Sequence, residues 1–539
     1  MNNSITRRKL IKTSFCCLFA PKIFTKNFKI ENTKTIFGKA NKSKKYTIYW
    51  GDIHNHNSIG YAKGSLERSF DIAKSHLDFF ALTPHSQWHD MPIMEQDKHQ
   101  TWVKGFEETK RRWSDVQKMC AKYNKSGEFI TFPAYEWHSS FYGDYCIIFP
   151  YDYPPLEILN DVDALQKFAR KNNAIIVPHH PGYRQGRRGG NFTYLDTEVS
   201  PILEIYSEHG NAEKDNVLYG YIRHSMGGCW AQNTLQYALS LGCRLGVVAS
   251  SDDHLGYPGA YGEGICAVLS ENLTRDSIFD AIKRRRTYGV TGDRIKLNFN
   301  LNGHVMGEEI PFVKKREIQV NVSGWDTIDK VEVLKNNEVI HRNFPIDRRV
   351  TSASWNKPIY LRIEFGWGPW ATLEMPRICD WEIDVKISGG VLNEVYPCFQ
   401  SGPFEESRRN LIKKLSENLS HITSYTSRKE AFAEKSTNAV VLNISGNPET
   451  KLSLNVSKPN NMEMTKNLKE LVSQNEIIFT GPFPDESILI HPVVFSEHFN
   501  TEFSFIDSET SNNVDYYYVR VMQSNGQLAW SSPIWVGKD

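Results

Sequence analysis

The sequence has no Cys-x-x-Cys pair and no regular cysteine spacing, which argues against zinc ribbons and disulfide-framework folds. Of its nine cysteines, Cys16 and Cys17 fall in the N-terminal segment. Cys120, Cys146, Cys229, Cys243, Cys266, Cys379 and Cys398 remain, an odd number best read as buried free thiols. Excess charge of one sign is also missing. A formal net charge of +2 gives no reason to expect nucleic acid as the main partner. No repeat of solenoid length is visible, and no transmembrane segment is expected.

What is present is an ordinary globular composition, 40 % hydrophobic and 23 % charged, over 539 residues. That length exceeds one core, so two or three domains are expected. The N-terminus reads Thr6-Arg7-Arg8-Lys9-Leu10-Ile11-Lys12 before a short apolar run, Phe15 to Ala20. This resembles a twin-arginine export signal followed by a linker to residue 40, and implies a periplasmic or otherwise exported protein. Lys12 interrupts the apolar stretch, so a basic tail is the alternative.

From Lys45 to Asp293, strand-like runs alternate with helical stretches. Thr47 to Ile53, Leu77 to Thr83, Glu128 to Phe132, Ala174 to Val177, Ile202 to Tyr206 and Leu245 to Ala249 read as strands. Ser65 to Ser75, Asp161 to Lys171 and Asp276 to Arg286 read as helices. Residues 41–293 are therefore expected to form a barrel-like or layered α/β domain. Beyond Asp293 the pattern turns to alternation, with a hairpin turn at Asn336-Asn337 and another at Ser524-Asn525-Gly526. A β-sandwich over 294–539 follows, with the charged stretch 405–435 expected as a helical or loop insertion.

The chemistry lies at the strand ends. In Asp52-Ile53-His54-Asn55-His56 the two histidines, at i and i+2, share a face and can converge on one cation. Thr83-Pro84-His85, Tyr135-Glu136-Trp137, Pro178-His179-His180-Pro181 and Ser251-Asp252-Asp253-His254 each close another predicted strand. Five strands thus deliver imidazoles and carboxylates to one rim, where α/β enzymes place their sites. Mixed imidazole and carboxylate donors suit Zn²⁺, Mn²⁺ or Fe²⁺, and there are too many for one closed tetrahedral site. A pair of divalent ions is the economical reading.

In this order the motifs resemble the polymerase and histidinol phosphatase (PHP) superfamily of metallohydrolases. Ala134-Tyr135-Glu136-Trp137, His180-Pro181-Gly182-Tyr183, Ser207-Glu208-His209-Gly210 and the tail Ala529 to Val536 resemble its DUF3604 branch, near the CehA/McbA-like hydrolases. The resemblance implies a distorted (β/α)7 barrel with an appended β-domain. It also implies His54, His56, His85, Glu136, His180, Asp252 and His254 as metal ligands. Three positions depart from the family pattern. Pro84 stands where an acidic neighbour of His85 is usual, and Asp144 stands where relatives place a histidine, making it a substitute ligand that favours harder ions such as Mn²⁺. Ala62 stands where three-metal relatives supply a ligand.

The expected activity is hydrolysis by a metal-activated water, on a phosphoester or other ester-type small molecule. A periplasmic carbamate, ester or glycoside hydrolase acting on saccharide-derived or xenobiotic substrates is the second reading. A metal-stabilised carbohydrate-binding protein, with Trp367, Trp370, Trp530 and Trp535 stacking on sugars, is the third. Arg184, with Arg187 and Arg188, is a candidate for holding an anionic group, or else part of a solvated loop. His209 is a candidate for substrate contact or proton transfer, with ligand and structural roles as alternatives.

Overall fold

In the first half of the chain, an apolar strand β1 (Thr47–Asp52) leads through α1 (Leu66–His76) to β2 (Phe79–Leu82). The chain is seen in a computed structural model that describes residues 46–95, 97–221, 227–368, 375–428 and 436–537. The export-like segment and Trp370 lie outside the described residues. Ser65 starts α1 by accepting a hydrogen bond from the Arg68 amide, so the helix begins where its cap falls. Next come β3 (His85–Trp88), α2 (Asp97–Tyr123), β4 (Ile130–His138), β5 (Asp144–Ile148), α3 (Val162–Lys171) and β6 (Ile175–His179). The region closes with β7 (Ile202–Ser207), β8 (Gly210–Asn211), α4 (Leu235–Ser240), β9 (Gly246–Ala249), β10 (Ile265–Ser270), α5 (Arg275–Lys283) and β11 (Thr287–Val290).

The result is a mixed α/β fold with much sheet and few helices. β1, β2 and β4 pair in parallel, and every residue of β2 and β4 is buried, as strands covered on both faces require. The pairing departs from a regular strand–helix alternation. β4, β5 and β6 run antiparallel, as do β1, β10 and β11. Between β4 and β5 only residues 139–143 intervene, enough for a turn and too few for a helical crossover. β7 and β9 form a parallel pair that approaches β11 through side chains. Thr287 Oγ1 donates to the Val247 carbonyl at 2.8 Å, and the Val247 amide donates to Ser532 Oγ at 2.9 Å. Gly289 makes this approach possible, since a Cβ there would lie 2.9 Å from the Ala249 amide nitrogen.

Strands Lys296–Leu301, Arg316–Ser323 and Asn500–Asp507 form one antiparallel sheet. It shares a core with Ile328–Lys335, Val514–Gln523 and Ile534–Gly537, through Phe299, Val320, Val333, Val519 and Val536. Asn336 and Asn337, with φ of 50° and 71°, make the expected hairpin turn. Between these sheets the chain departs at residue 344 and builds two five-stranded sheets around Leu361, Phe365, Trp381, Ile383, Leu442 and Ile488. Fully burying each such side chain contributes about 1.5–3 kcal/mol. The charged stretch forms strands here: Leu411–Ser416 and Leu419–Ser427 pair as a hairpin. Its period is two, with Ser420, Ile422 and Ser424 inward and the lysines Lys413 and Lys414 on an exposed edge, so charge marks an edge strand and not a helix.

The last hairpin returns to the first sheet. Leu528–Ser531 pairs with Val514–Gln523 on one side and with β11 on the other. Trp530 and Trp535 are therefore core residues, at 0 % and 1 % exposure, and cannot stack on a ligand; Trp367 is 40 % exposed.

His76, ending α1, carries a pH-dependent element of stability. Its Nε2–H donates to the Pro258 carbonyl at 2.9 Å, and Arg294 donates to its backbone oxygen. Burial and the Arg294 cation push its pKa down to about 3. The unfolded chain therefore binds a proton that the folded chain does not, between about pH 6.5 and 3. This contribution is fully present above the unfolded value and is lost as pH falls through that window. His76→Gln is expected to flatten the acid side of the stability profile between about pH 6 and 4. Unchanged steepness in denaturant titrations across that range would refute it.

Candidate metal centre

Two strand-end loops are tied together first. Buried Asp52 accepts from the Ser251 hydroxyl at 2.5 Å and from the backbone amides of His54, Ser251 and Gly259. The Asp252 amide donates to the His54 carbonyl at 2.9 Å, and the His56 amide to the Asp253 carbonyl at 3.1 Å. His54, His56, Asp252 and His254 are thereby held as one unit although about 200 residues separate them. Asp252 adopts φ of 55° and His180 φ of 31°, left-handed values that non-glycine residues hold only where the surroundings impose them.

The side chains then converge. His56 Nε2 lies 3.1 Å from His54 Nε2 and 3.0 Å from Asp252 Oδ1, which is itself 3.2 Å from His54 Nε2. Glu136 Oε2 lies 2.6 Å from His85 Nδ1 and 3.4 Å from His56 Nε2. His85 Nε2 is 3.2 Å from His254 Nε2. The second Glu136 oxygen is 3.2 Å from His138 Nδ1 and 3.1 Å from His179 Nε2. His54, His56, His85, Glu136 and Asp252 are at most 2 % exposed. The 28 % exposed His254 side chain, beside the 29 % exposed Glu208, faces solvent.

Of the sequence candidates, His54, His56, His85, Glu136, Asp252 and His254 form this cluster. His180 and Asp144 sit at its edge, with His180 Nε2 3.5 Å from Asp144 Oδ2. Asp144 is already engaged, since Arg188 Nε donates to it at 2.6 Å and His138 Nδ1 lies 3.0 Å away. His209 reaches the cluster, with Nε2 3.0 Å from Asp252 Oδ2 and Nδ1 2.7 Å from the Tyr183 hydroxyl. Arg184 takes the second of its two expected places, in the solvated loop. It is exposed, with its guanidinium 5.8 Å from the Trp230 ring, because the loop turns only at Arg188, which has φ of 66°. Arg188 is the arginine delivered inward, lying against Trp88 and Trp102 at 5.1 and 5.3 Å. Gly189 permits the turn, since a Cβ there would meet the Tyr183 carbonyl at 1.7 Å. Next to Ala62, Tyr61 stacks on His85 at 4.1 Å, so an aromatic ring covers that side of the cluster.

Four residues join the expected set. His138 follows Glu136 by two residues and shares its face of β4, which the strand period could have shown. His179, left open in the sequence, joins the cluster. Glu204, a charge inside an apolar strand, accepts from His54 Nδ1 at 2.8 Å and so directs Nε2 of that ring inward. Arg188 is the fourth.

Electrostatics set the donor states. Burial alone would raise Glu136, but His138, His85 and His179 hold its carboxyl well below the usual range. Burial opposes ionisation of Asp252 too, and His54 and His209 override it. Burial and the His254 charge push His56 down to about 3. Burial, with neighbouring His56 or His179, likewise holds His85 and His180 well below the ordinary histidine value. Burial opposes protonation of His54, His179 and His254 too, but Asp252 holds His54 well above the ordinary value, Cys146 and Glu136 raise His179 to about 10 and Glu208 raises His254 to about 9, so a bound cation would displace protons from these rings.

Ring nitrogens of His54 and His56, and of His85 and His254, approach to 3.1–3.2 Å, a separation that a shared proton or a common cation fits. Several sets of three or four donors have all atoms within 4.8 Å of one another, among them His56, His85 and His254, and Glu136, Asp144, His179 and His180. The residues thus fit divalent metal. The class defined by fold and site is a mixed α/β protein with a buried His–carboxylate cluster that could hold metal.

Comparison with known proteins adds relatives to that class. The family described as a protein of unknown function (DUF3604) matches residues 258–309, which run from the loop after His254 through β10, α5 and β11. An uncharacterized protein of Chlamydia trachomatis is 28 % identical over 200 residues, covering 34 % of this chain and 32 % of that protein. One from Chlamydia pneumoniae is 27 % identical over 196 residues, covering 34 % and 31 %. The chain thus spans about a third of the length of these curated relatives. A Bacteroides vulgatus crystal structure, of a two-domain protein containing a predicted PHP-like metal-dependent phosphoesterase, is similar at 14 % identity and a TM-score of 0.31. That similarity covers 55 % of this chain and 83 % of that one.

Proposed function

We propose that this protein is a metal-dependent hydrolase of phosphoester or related ester-type small molecules. One observation carries the proposal: Glu136 lies between buried histidines of separate strand ends, one oxygen towards His85 and His56 and the other towards His138 and His179. A carboxylate so placed would hold divalent cations together with those histidines. Divalent ions bound there, of the Zn²⁺, Mn²⁺ or Fe²⁺ type, would lower the pKa of water and polarise the oxygen that gains charge.

The chain's own groups supply the rest. Asp52 accepts from the His54 backbone amide and Glu204 takes its ring Nδ1, so His54 is fixed in orientation. Arg188 places a permanent cation beside the carboxylates and leaves the site able to accept an anionic group. The Tyr61, Trp88 and Trp102 rings exclude water from one side. His254 and Glu208, 3.2 Å apart, are the partly exposed side of the cluster. Carbamate, ester and glycoside substrates use the same water chemistry and remain the second reading.

Export is a separate part of the proposal, supported by Arg7-Arg8 and the apolar run after it. Among the described residues no helix is long and apolar enough to cross a membrane.

Chelator dialysis is expected to abolish hydrolysis in a screen of aryl phosphates, aryl esters and aryl glycosides, and added Zn²⁺, Mn²⁺ or Fe²⁺ to restore it. Turnover that persists in metal-free protein, verified by elemental analysis, would overturn the proposal.

A further inference from the structure

The seven described cysteines are all free, and one of them stands apart from the rest. Cys146 lies in the middle of β5, directly opposite Glu136 of β4 and Val177 of β6. Side chains opposite one another in an antiparallel pair share a face, and residues two apart on a strand do so too. Glu136 and His138 of β4, Asp144 and Cys146 of β5, and His179 of β6 therefore all face the metal centre. One step further along β5, Ile148 belongs to the apolar floor with Ala134 and Ile175. Cys146 is the boundary residue between that floor and the donor cluster.

Its sulfur has imidazole neighbours. Sγ of Cys146 and one ring nitrogen each of His54 and His179 lie within 4.8 Å of one another, and all three residues are buried. Tetrahedral coordination with metal–nitrogen bonds of about 2.0–2.1 Å and metal–sulfur bonds of about 2.3 Å separates donors by roughly 3.3–3.8 Å, so small side-chain shifts bring these three into range. A second observation points to a ligand independently of the thiol. His179 is 1 % exposed, and while its Nε2 lies 3.1 Å from Glu136 Oε1, its Nδ1 makes no hydrogen bond. A buried imidazole in that state is costly unless something binds it. His54 is oriented for the same task, because Glu204 takes its Nδ1.

We propose that Cys146 is a thiolate ligand of the metal centre, holding one ion together with His54 and His179. This rests on the metallohydrolase reading and deepens it by naming the metal class. On binding, the thiol proton leaves to solvent and sulfur donates an electron pair to the cation; no oxidant or reductant is involved. Thiolate is a soft donor, so the position selects Zn²⁺ or Fe²⁺ over Mn²⁺ and Mg²⁺. Asp144, the residue that pointed to harder ions, is occupied by Arg188.

The test uses the full chain, stripped with chelator and reloaded with Co²⁺ or Zn²⁺ alone. Co²⁺-loaded protein is expected to show a near-ultraviolet sulfur-to-cobalt charge-transfer band. Cys146→Ser should lose that band and bind Zn²⁺ about 10- to 100-fold more weakly, the scale of effects around metal sites. Because the variant can fail to fold, X-ray absorption on the unaltered Zn²⁺ protein supplies a second reading, with a sulfur neighbour expected at about 2.3 Å. Absence of both the band and the sulfur neighbour in metal-loaded protein overturns the assignment. Hydrolysis without sulfur ligation would remove Cys146 and leave the proposed function standing. Sulfur ligation without hydrolysis of any substrate would do the reverse.

Discussion

Glu136→Gln is expected to lose bound metal and to reduce hydrolysis by about 1,000-fold or more, the largest functional effect of any single substitution here. The change keeps volume and hydrogen-bonding shape while removing the charge that His85, His138 and His179 surround. An amide nitrogen then faces nitrogen donors where an oxygen anion stood. The outcome should separate metal binding from folding: elemental analysis reads depleted metal while circular dichroism stays native. Asp252→Asn and His54→Ala should behave in the same sense, since Asp252 Oδ1 lies within 3.2 Å of both opening histidines. Full metal content and normal rates in the Glu136 variant would remove Glu136 as a metal ligand.

The second large effect concerns stability. Asp293, fully buried, accepts from Arg362 through both oxygens at 2.8 and 2.9 Å. It also accepts from Gln523 at 2.7 Å, from Asn525 at 2.8 Å and from the Tyr261 hydroxyl at 2.9 Å. One carboxylate therefore joins the end of the α/β region, a strand of the inserted sheets and the terminal hairpin. Asp293→Ala would leave the buried Arg362 cation without its counter-charge, at a cost of about 3–5 kcal/mol. Denaturant unfolding measures it, and a loss below about 1 kcal/mol would show that the pair is dispensable.

Much of this was legible in the sequence. Strand ends carry the ligands because apolar runs such as Phe79–Leu82 stop where polar residues begin, and that boundary is written locally. The helix α2 is harder to see in the sequence. Trp102, Phe106, Trp113, Val116 and Cys120 recur at helical spacing, and polar residues between them mask the stripe. Three features could not be read locally. Arg188 and Arg184 look alike in sequence, and only the path of the loop decides which turns inward. The insertion of residues 344–499 between paired strands, and the pairing of β11 with the chain's last hairpin, are set by partners hundreds of residues away.

That last pairing has a consequence for biosynthesis. β11 ends at Val290, whereas the strand that covers its edge ends at Ser531. At 5–20 residues per second the ribosome needs about 12–50 s to make the roughly 240 residues between them. Throughout that interval the edge of β11 at Tyr288, Gly289 and Val290 lacks its partner strand, a template for pairing with other chains. The half that carries the His–carboxylate cluster is complete in sequence long before it is complete in structure. Truncation within the terminal hairpin is therefore a defect of assembly, felt far from the residues removed.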